Sequence, residues 1–239
     1  MMAFYERLTP FYDEIFPVNE TACDFLLSFF EKAEIVLDVG AGTGNMAMAL
    51  TKKGLRVIAA EPDVAMAEYI GKKAGENNVT IPVHIKAMQE IDQIAEKVGG
   101  IYCIGNTLPH VNNSEELGLF IKKCYELLSN GNRFILQLVN YEKVLSSVND
   151  FSFPVIQKDD LTFTRYYRQE GEKIIFTTNL TVKGDKFSNS IPLYPVTSSQ
   201  LIPILHEVGF EVEHVYGNFA RQEYSKNSPA LVVVAKKRV

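Results

Sequence analysis

An octapeptide, Asp38-Val39-Gly40-Ala41-Gly42-Thr43-Gly44-Asn45, separates an apolar run at Ile35 to Val39 from a segment of helical pattern at Asn45 to Lys53. Glycine at every second position argues against both a helix interior and a strand interior, where each glycine costs about 0.5–1 kcal/mol relative to alanine. The stretch suits a tight strand-to-helix turn. There glycine reaches positive φ and lets the backbone approach a bound group, while the N–H groups that open the helix attract negative charge. A bare turn without ligand is the alternative, but it has no need of glycines in alternation.

The spacing narrows the ligand. A dinucleotide fingerprint, G-x-G-x-x-G, counted from Gly40 would put its last glycine at the place of Asn45. A P-loop needs Lys after its final glycine, and Gly44 is followed by Asn45. Asp38, ahead of the glycines, is awkward beside a pyrophosphate and suits a ligand with an ammonium group. Glu61 ends the second strand pattern, ~20 residues beyond the glycines, where a carboxylate accepts hydrogen bonds from ribose hydroxyls. After the third strand pattern come Ala87-Met88-Gln89. Met88 could lie on a purine ring and Gln89 bond its edge, although a methionine there equally suits the core.

Strand and helix patterns alternate around this turn. An aromatic segment runs from Phe4 to Phe16, and a helix follows from about Asn19 or Thr21 with Phe25, Leu26, Phe29 and Phe30 on its apolar face. Strands are expected at Ile35–Val39, Leu55–Ala60, Val83–Lys86, Ile101–Ile104 and Arg133–Val139. Helices are expected at Asn45–Lys53, Val64–Ala74, Ile91–Val98 before Gly99-Gly100, and Ser114–Ser129, capped by Ser114 and ended by Asn130-Gly131. Such alternation implies an α/β fold, a doubly wound, mostly parallel sheet with helices on both faces. After Asn140 the pattern changes to extended segments, Phe151–Ile156, Leu161–Arg168, Lys173–Val182 and Lys186–Leu193, punctuated by Gly171 and Gly184. They predict an antiparallel β insertion. A helix at Ser198–Val208 and strands at Phe210–Tyr216 and Ala230–Lys236 bring the main sheet to seven strands. One domain over 1–239 is expected, with a cap at 1–30, a core at 31–140, an inserted lid at 141–196 and a closing unit at 197–239.

Composition limits the rest. A net charge of −5 disfavours a nucleic-acid partner, and Lys236, Lys237 and Arg238 read as a solvated end. Cys23, Cys103 and Cys124 are far apart, which argues against a disulfide framework or a metal knuckle and points to a cytoplasmic chain. The N-terminus lacks the apolar core of a signal peptide, and no apolar stretch approaches the ~20 residues of a membrane span. No G-x-S-x-G is present for a hydrolase, and the histidines and cysteines show no metal-ligand spacing.

These residues resemble the class I S-adenosylmethionine-dependent methyltransferases in Asp38 to Gly44, Glu61, the Met88 region and the closing strands with Gly209-Phe210. The likeness is greatest to the glycine and sarcosine N-methyltransferase branch. Tyr102-Cys103-Ile104-Gly105-Asn106-Thr107-Leu108-Pro109-His110 is similar to its fourth-strand motif, and Asn140-Tyr141-Glu142 to its Arg-Asn-Tyr-Asp stretch. Leu193-Tyr194-Pro195 is similar to its Tyr-Tyr-Pro-His, and Tyr216-Gly217-Asn218-Phe219 to a Gly-Asp-Phe turn near its end.

The resemblance implies a Rossmann-like methyltransferase fold, S-adenosylmethionine as cofactor, and a small-molecule methyl acceptor, an amine before a hydroxyl. It implies that Asp38, Gly40, Ala41, Gly42, Gly44 and Asn45 hold the methionine portion and Glu61 the ribose, with Pro62 and Met66 also in the cofactor site. Ala87, Met88 and Gln89 would flank the adenine. Gly105 would floor the sulfonium with Asn106 and His110 beside it, and Tyr12 would join the cofactor site. Where the glycine methyltransferases carry an Arg for the substrate carboxylate, this chain has Val139, and Arg165 or Arg168 in the insertion is the candidate replacement.

For catalysis, His110 is the candidate base because imidazole titrates near neutrality, with a structural loop histidine as the alternative. Tyr5, Tyr12 and Tyr194 could surround the sulfonium or an amine. The aromatic N-terminus and the insertion are expected to close over the glycine turn. The rival readings are a cofactor-binding protein without turnover and an NAD-dependent oxidoreductase, the latter weakened by the glycine spacing. Monomer and homodimer both stay open.

Overall fold

A computed structural model describes residues 2–30, 35–94, 97–147 and 150–239. The chain begins with α1 (Met2–Ile15), α2 (Glu20–Phe30), β1 (Val36–Val39), α3 (Asn45–Lys52), β2 (Val57–Ala60), α4 (Val64–Glu76) and β3 (Val83–His84). A 3-10 turn (Met88–Gln93), β4 (Val98–Cys103), a second 3-10 turn (Leu108–His110), α5 (Ser114–Leu127), β5 (Leu128–Val139) and α6 (Tyr141–Leu145) follow. Then come β6 (Phe151–Ser152), β7 (Ile156–Lys158), β8 (Leu161–Glu170), β9 (Lys173–Val182), β10 (Asp185–Leu193), α7 (Ser198–Val208), β11 (Phe210–Tyr216) and β12 (Ala230–Lys237).

The main sheet has seven strands in the order β11-β12-β5-β4-β1-β2-β3. β1 pairs in parallel with β2 and β4, β2 with β3, and β4 with β5, while β12 runs antiparallel to β5 and β11. The period-2 alternation of a strand sorts its residues between two cores. Leu37, Val39, Ile101, Cys103, Phe134 and Leu136 face α5 and α7, where Phe120, Ile121, Leu201 and Leu205 pack. Val36, Val57, Ala59, Tyr102 and Ile135 face Phe25 and Leu26 of α2, Leu50 of α3 and Ile70 of α4. Strand order reverses at β1, so β1 and β4 diverge at the rim above the glycine turn, the place where such sheets bind ligands.

A second, antiparallel sheet in the order β10-β9-β8-β6, with β7 also on β8, fills residues 151–193. Its inner face packs under α1, joining Leu161, Phe163 and Leu180 to Leu8 and Ile15.

Four local expectations change. The helix placed at Ile91–Val98 is a 3-10 turn that ends at Gln93, with residues 95–96 outside the described ones; Val98, Gly99 and Gly100 begin β4. Gly100 serves packing there, since a Cβ on it would lie 2.6 Å from the Phe30 ring. Asn113, not Ser114, caps α5, its side chain accepting the Glu116 N–H at 2.9 Å. Asn130-Gly131 does not end that helix but lies within β5, where the pairing with β4 shifts register between Val98 and Gly100, an irregularity that absorbs extra residues. The strand expected at Phe151–Ile156 is broken into β6 and the start of β7. Outside these four, the aromatic segment is helical up to Ile15 through an exposed Pro10, and α6 is too short to show a period.

Candidate active site

The glycine turn is built as the spacing demands. Gly40, Gly42 and Gly44 have φ of +75°, +57° and +74°, a region that costs other residues ~1–2 kcal/mol each. Gly40 N–H donates to the Ala60 carbonyl at 2.8 Å, seating the turn on the end of β2. A Cβ on Gly40 would collide with the Thr107 side chain, and one on Gly44 would lie 2.9 Å from Ile70. Gly42 differs: its missing Cβ faces the Tyr12 ring and hydroxyl at 3.5–3.6 Å. Ala41 donates to the Ala60 carbonyl at 3.2 Å, and its own carbonyl accepts the Gly44 N–H.

Two buried carboxylates flank the turn. Asp38 is 2% exposed, and its Oδ2 has no hydrogen-bond partner among the described residues. Burial raises its pKa to about 7; the nearby Tyr102 hydroxyl opposes the shift and the Glu61 charge adds to it. Tyr102 stands opposite Asp38 across β1 and β4, yet its hydroxyl also lacks hydrogen-bond geometry to any described residue, so the Asp38 oxygen stays unsatisfied among them. Glu61 accepts the Gly42 N–H at 2.7 Å through Oε2 and the Asp63 N–H at 3.0 Å through Oε1. Burial raises Glu61 to about 7 as well, against the lowering effect of those two donors.

Helix α1 is latched over the turn by contacts that spacing could not reveal. Thr43 is fully buried, and its hydroxyl donates to Asp13. Lys73 of α4 donates to both Asp13 and Asn45 at 2.7 Å, and Asn45 donates to the Phe16 carbonyl at 2.9 Å. The Asn45 side chain is thus committed to α1 and α4, and only its backbone faces the turn. Pro62 is exposed; Met66 is buried in α4, its N–H held by the Asp63 side chain. Met88 is 6% exposed and belongs to the main core. Ala87 N–H bonds Glu90 at 3.2 Å, and the Gln89 side chain donates to Glu116, so the group expected at the purine edge already has a partner.

The opposite wall is the loop after β4. Gly105 has φ +73°, is exposed, and donates to Gln137 at 2.8 Å. Asn106, at φ +69°, donates to the Tyr167 hydroxyl at 2.9 Å and the Tyr141 hydroxyl at 3.2 Å, and accepts the Val139 N–H at 3.1 Å. One amide therefore joins the ends of β4 and β5, α6 and the second sheet. Burial holds Tyr141 well above the ordinary phenol range and Tyr167 at about 12, so both are neutral hydroxyls. His110 is exposed at the end of its 3-10 turn, but nearby protein mass lowers its pKa by desolvation. Tyr194 N–H donates to the Pro109 carbonyl at 2.8 Å, its hydroxyl accepts from Gln200 at 3.1 Å, and Lys173 lies 5.3 Å from its ring. Tyr194 is thereby fixed beside the His110 turn, whereas Tyr12 is fixed beside Gly42. The side chain of Tyr5 lies outside the described residues. Of the two arginines in the insertion, Arg168 is exposed and pairs with Glu170 at 3.4 Å, whereas Arg165 points inward.

Residues 36–131 match the family described as "Methyltransferase domain", a span that holds the glycine turn, Glu61 and the Asn106 loop. A glycine/sarcosine N-methyltransferase of Aphanothece halophytica is 24% identical over 86% of this chain and 77% of its own. A crystal structure of an S-adenosylmethionine-dependent methyltransferase from Clostridium acetobutylicum superposes with a TM-score of 0.86 at 15% identity, covering 98% of this chain and 99% of that one. An amino pentose methyltransferase from Micromonospora echinaspora, solved with S-adenosylmethionine bound, has a TM-score of 0.72 at 17% identity, covering 91% and 90%. With its glycine cradle, its strand order and this domain match, the chain carries a methyltransferase domain over residues 36–131 and has the fold of the S-adenosylmethionine-dependent methyltransferases it superposes on.

Proposed function

We propose that the enzyme methylates an amine nitrogen of a small molecule, and that its cofactor lies across the Gly40–Gly44 turn. The observation that carries the placement is the unpartnered Asp38 oxygen beside a positive-φ backbone turn. A buried polar atom without a partner is rare and costs about 1–3 kcal/mol, so the site is incomplete as it stands. An ammonium group would satisfy Asp38 while the turn and the start of α3 take the adjoining carboxylate, and the methionine portion of the cofactor offers both. Glu61 would accept the ribose hydroxyls with the oxygens that now hold Gly42 and Asp63, and Met88 with Ala87 would border the adenine.

S-adenosylmethionine, when bound, supplies an electrophilic methyl group, and the chain supplies alignment and shielding from water. Tyr12 covers Gly42 from α1, and Asn106 is held rigid by Tyr141 and Tyr167 from the far side. We assign residues 1–30 as a cap and 141–196 as a lid over the core at 31–140. The amine is favoured because the wall around Asn106 is made of neutral amide and phenol groups. An amine needs only a mild base to free its lone pair. His110, neutral at pH 7, can take that proton. The Aphanothece relative, named for glycine and sarcosine N-methylation, supports the same acceptor class.

The test is transfer of a labelled methyl group to a panel of small amines, phenols and carboxylic acids. Labelled amines are the expected result. Labelling confined to oxygen acceptors, or tight cofactor binding with no transfer to any amine, would overturn the reading.

A further inference from the structure

On the α2 side of the main sheet, the last row of side chains before the glycine turn crosses four strands. In register it reads Ala59 on β2, Asp38 on β1, Tyr102 on β4 and Ile135 on β5. Ala59, Tyr102 and Ile135 belong to the apolar core there. Asp38 is thus flanked by a methyl group on one side and a phenol on the other. Tyr102 is fully buried. Its ring lies 6.2 Å from that of Phe30, which fills the space left by Gly100 two residues earlier on β4. Among the described residues, the Tyr102 hydroxyl and Asp38 Oδ2 are both buried without a hydrogen-bond partner.

Other enclosed tyrosines differ. The hydroxyls of Tyr141 and Tyr167 accept from the Asn106 amide, and that of Tyr224 donates to Asn140 and Glu142. A buried hydroxyl without a partner is a cost that phenylalanine would avoid. Here two such groups stand side by side, one able to donate and one able to accept, and each alters the other's hold on its proton. Burial keeps the Tyr102 phenol protonated by raising it well above its ordinary range, so it can act as a donor toward Asp38. A donor bonds an ionised carboxylate about twice as strongly as a neutral group. The hydroxyl therefore counts most when Asp38 carries charge.

We propose that Tyr102 is a positioning residue for the cofactor site: its hydroxyl donates to Asp38 whenever that carboxylate is ionised, and so holds the charge ready for an ammonium group. The inference rests on the cofactor placement proposed above. A carboxylate oxygen has two lone pairs, so Oδ2 can accept from Tyr102 and still face a ligand. The other titratable groups that act on the pair among the described residues are Glu61 after β2, Cys103 on β4 and Cys23 of α2. The neighbouring helices α3 and α4 add the apolar Leu50 and Ile70. Burial and the Glu61 charge both oppose an ionised Asp38, and Tyr102 is the group that favours it. Both thiols are raised by burial and keep their protons near neutral pH.

Two measurements separate the pair from its ligand. In the ligand-free protein the Asp38 carboxyl is followed by carbon-13 NMR, assigned by its loss in Asp38→Asn. Its titration midpoint should rise by about one pH unit in the near-isosteric Tyr102→Phe, as expected for a lost hydrogen bond to a charged group. S-adenosylhomocysteine is then titrated by calorimetry into both proteins at pH 6 and pH 8.5. Affinity should fall at least about fivefold in Tyr102→Phe at pH 6, where the carboxyl must first lose its proton, and stay within about twofold at pH 8.5. Glu61 titrates in both proteins, so the ratio between them isolates Tyr102. A midpoint that does not move, or an affinity loss equal at the two pH values, overturns the proposal, since a merely structural hydroxyl would act alike at both. A raised midpoint with affinity unchanged throughout, or no binding of S-adenosylhomocysteine to the parent protein, overturns the cofactor placement while the pairing of Tyr102 with Asp38 stands.

Discussion

The two sheets build their chemical surfaces by different means. In the seven-stranded sheet the surface is backbone at the strand ends: glycines at positive φ, N–H groups, and carboxylates that answer them. In the antiparallel sheet it is a face of side chains brought abreast by register, Arg165 to Thr178 to Asn189. A backbone surface has almost no tolerance for an added atom. A side-chain surface tolerates any change that keeps volume and strand propensity, and it loses chemistry before it loses fold.

The largest expected effect breaks the backbone surface. Gly40→Ala would drive a Cβ into Thr107 at φ +75°. Backbone strain of ~1–2 kcal/mol and overpacking of ~1–3 kcal/mol together predict a Tm drop on the order of 5–15 °C for a chain of this size, with cofactor binding lost. Gly42→Ala carries the same backbone strain at φ +57°, but its Cβ meets the Tyr12 ring and hydroxyl at ordinary contact distance, so it should lower cofactor binding with a clearly smaller Tm change. Equal losses of Tm in the two variants, measured by calorimetry, would break the distinction between a glycine that seats the turn and one that opens it. Next in size, Glu61→Ala should weaken S-adenosylhomocysteine by about 1.5–3 kcal/mol, the range for hydrogen bonds to a charged group. Affinity left intact would place the ribose elsewhere.

A smaller effect follows pH. Asp38 and Glu61 both have pKa values raised to about 7 in the ligand-free fold. The folded state then holds protons that the unfolded chain has already released above its ordinary carboxylate pKa of ~4. Stability from this source is full below that value and is lost as pH rises through about 7. Cofactor affinity runs the other way, because an ammonium ligand needs Asp38 ionised. Between pH 5 and pH 8 the Tm of the free protein should fall while affinity for S-adenosylhomocysteine rises several-fold. Asp38→Asn should flatten the affinity trend and lessen the Tm trend, which Glu61 maintains in part, and an affinity slope unchanged in that variant would remove Asp38 from the ammonium site.

The same contrast explains what was legible in the sequence. The glycine turn, Glu61 and the alternating elements are local: spacing and period over a few residues define them. The latch of Thr43, Asp13 and Lys73 joins three separate elements, and nothing in the neighbourhood of any one residue announces it. Gln89 and Asn45 stand at the right positions, but long-range partners, Glu116 for one and Phe16 with Lys73 for the other, fix where their side chains point. Gly99-Gly100 looks like a helix stop until Phe30, from a distant helix, is seen to need the space. Arg165 and Thr178 become neighbours only when the hairpin closes, and Arg165 cannot be told from Arg168 by residue type.

Strand period separates those two arginines, and this yields the smallest predicted effect. They are three apart on β8, so they point to opposite faces. The Arg168 side chain is 53% exposed, and its pairing with Glu170 at 3.4 Å is the kind of surface ion pair worth about 0–1 kcal/mol. Arg168→Ala should leave Tm within about 2 °C. A clearly larger Tm loss, read by calorimetry, would mean that the outer face of the second sheet carries more than a surface ion pair.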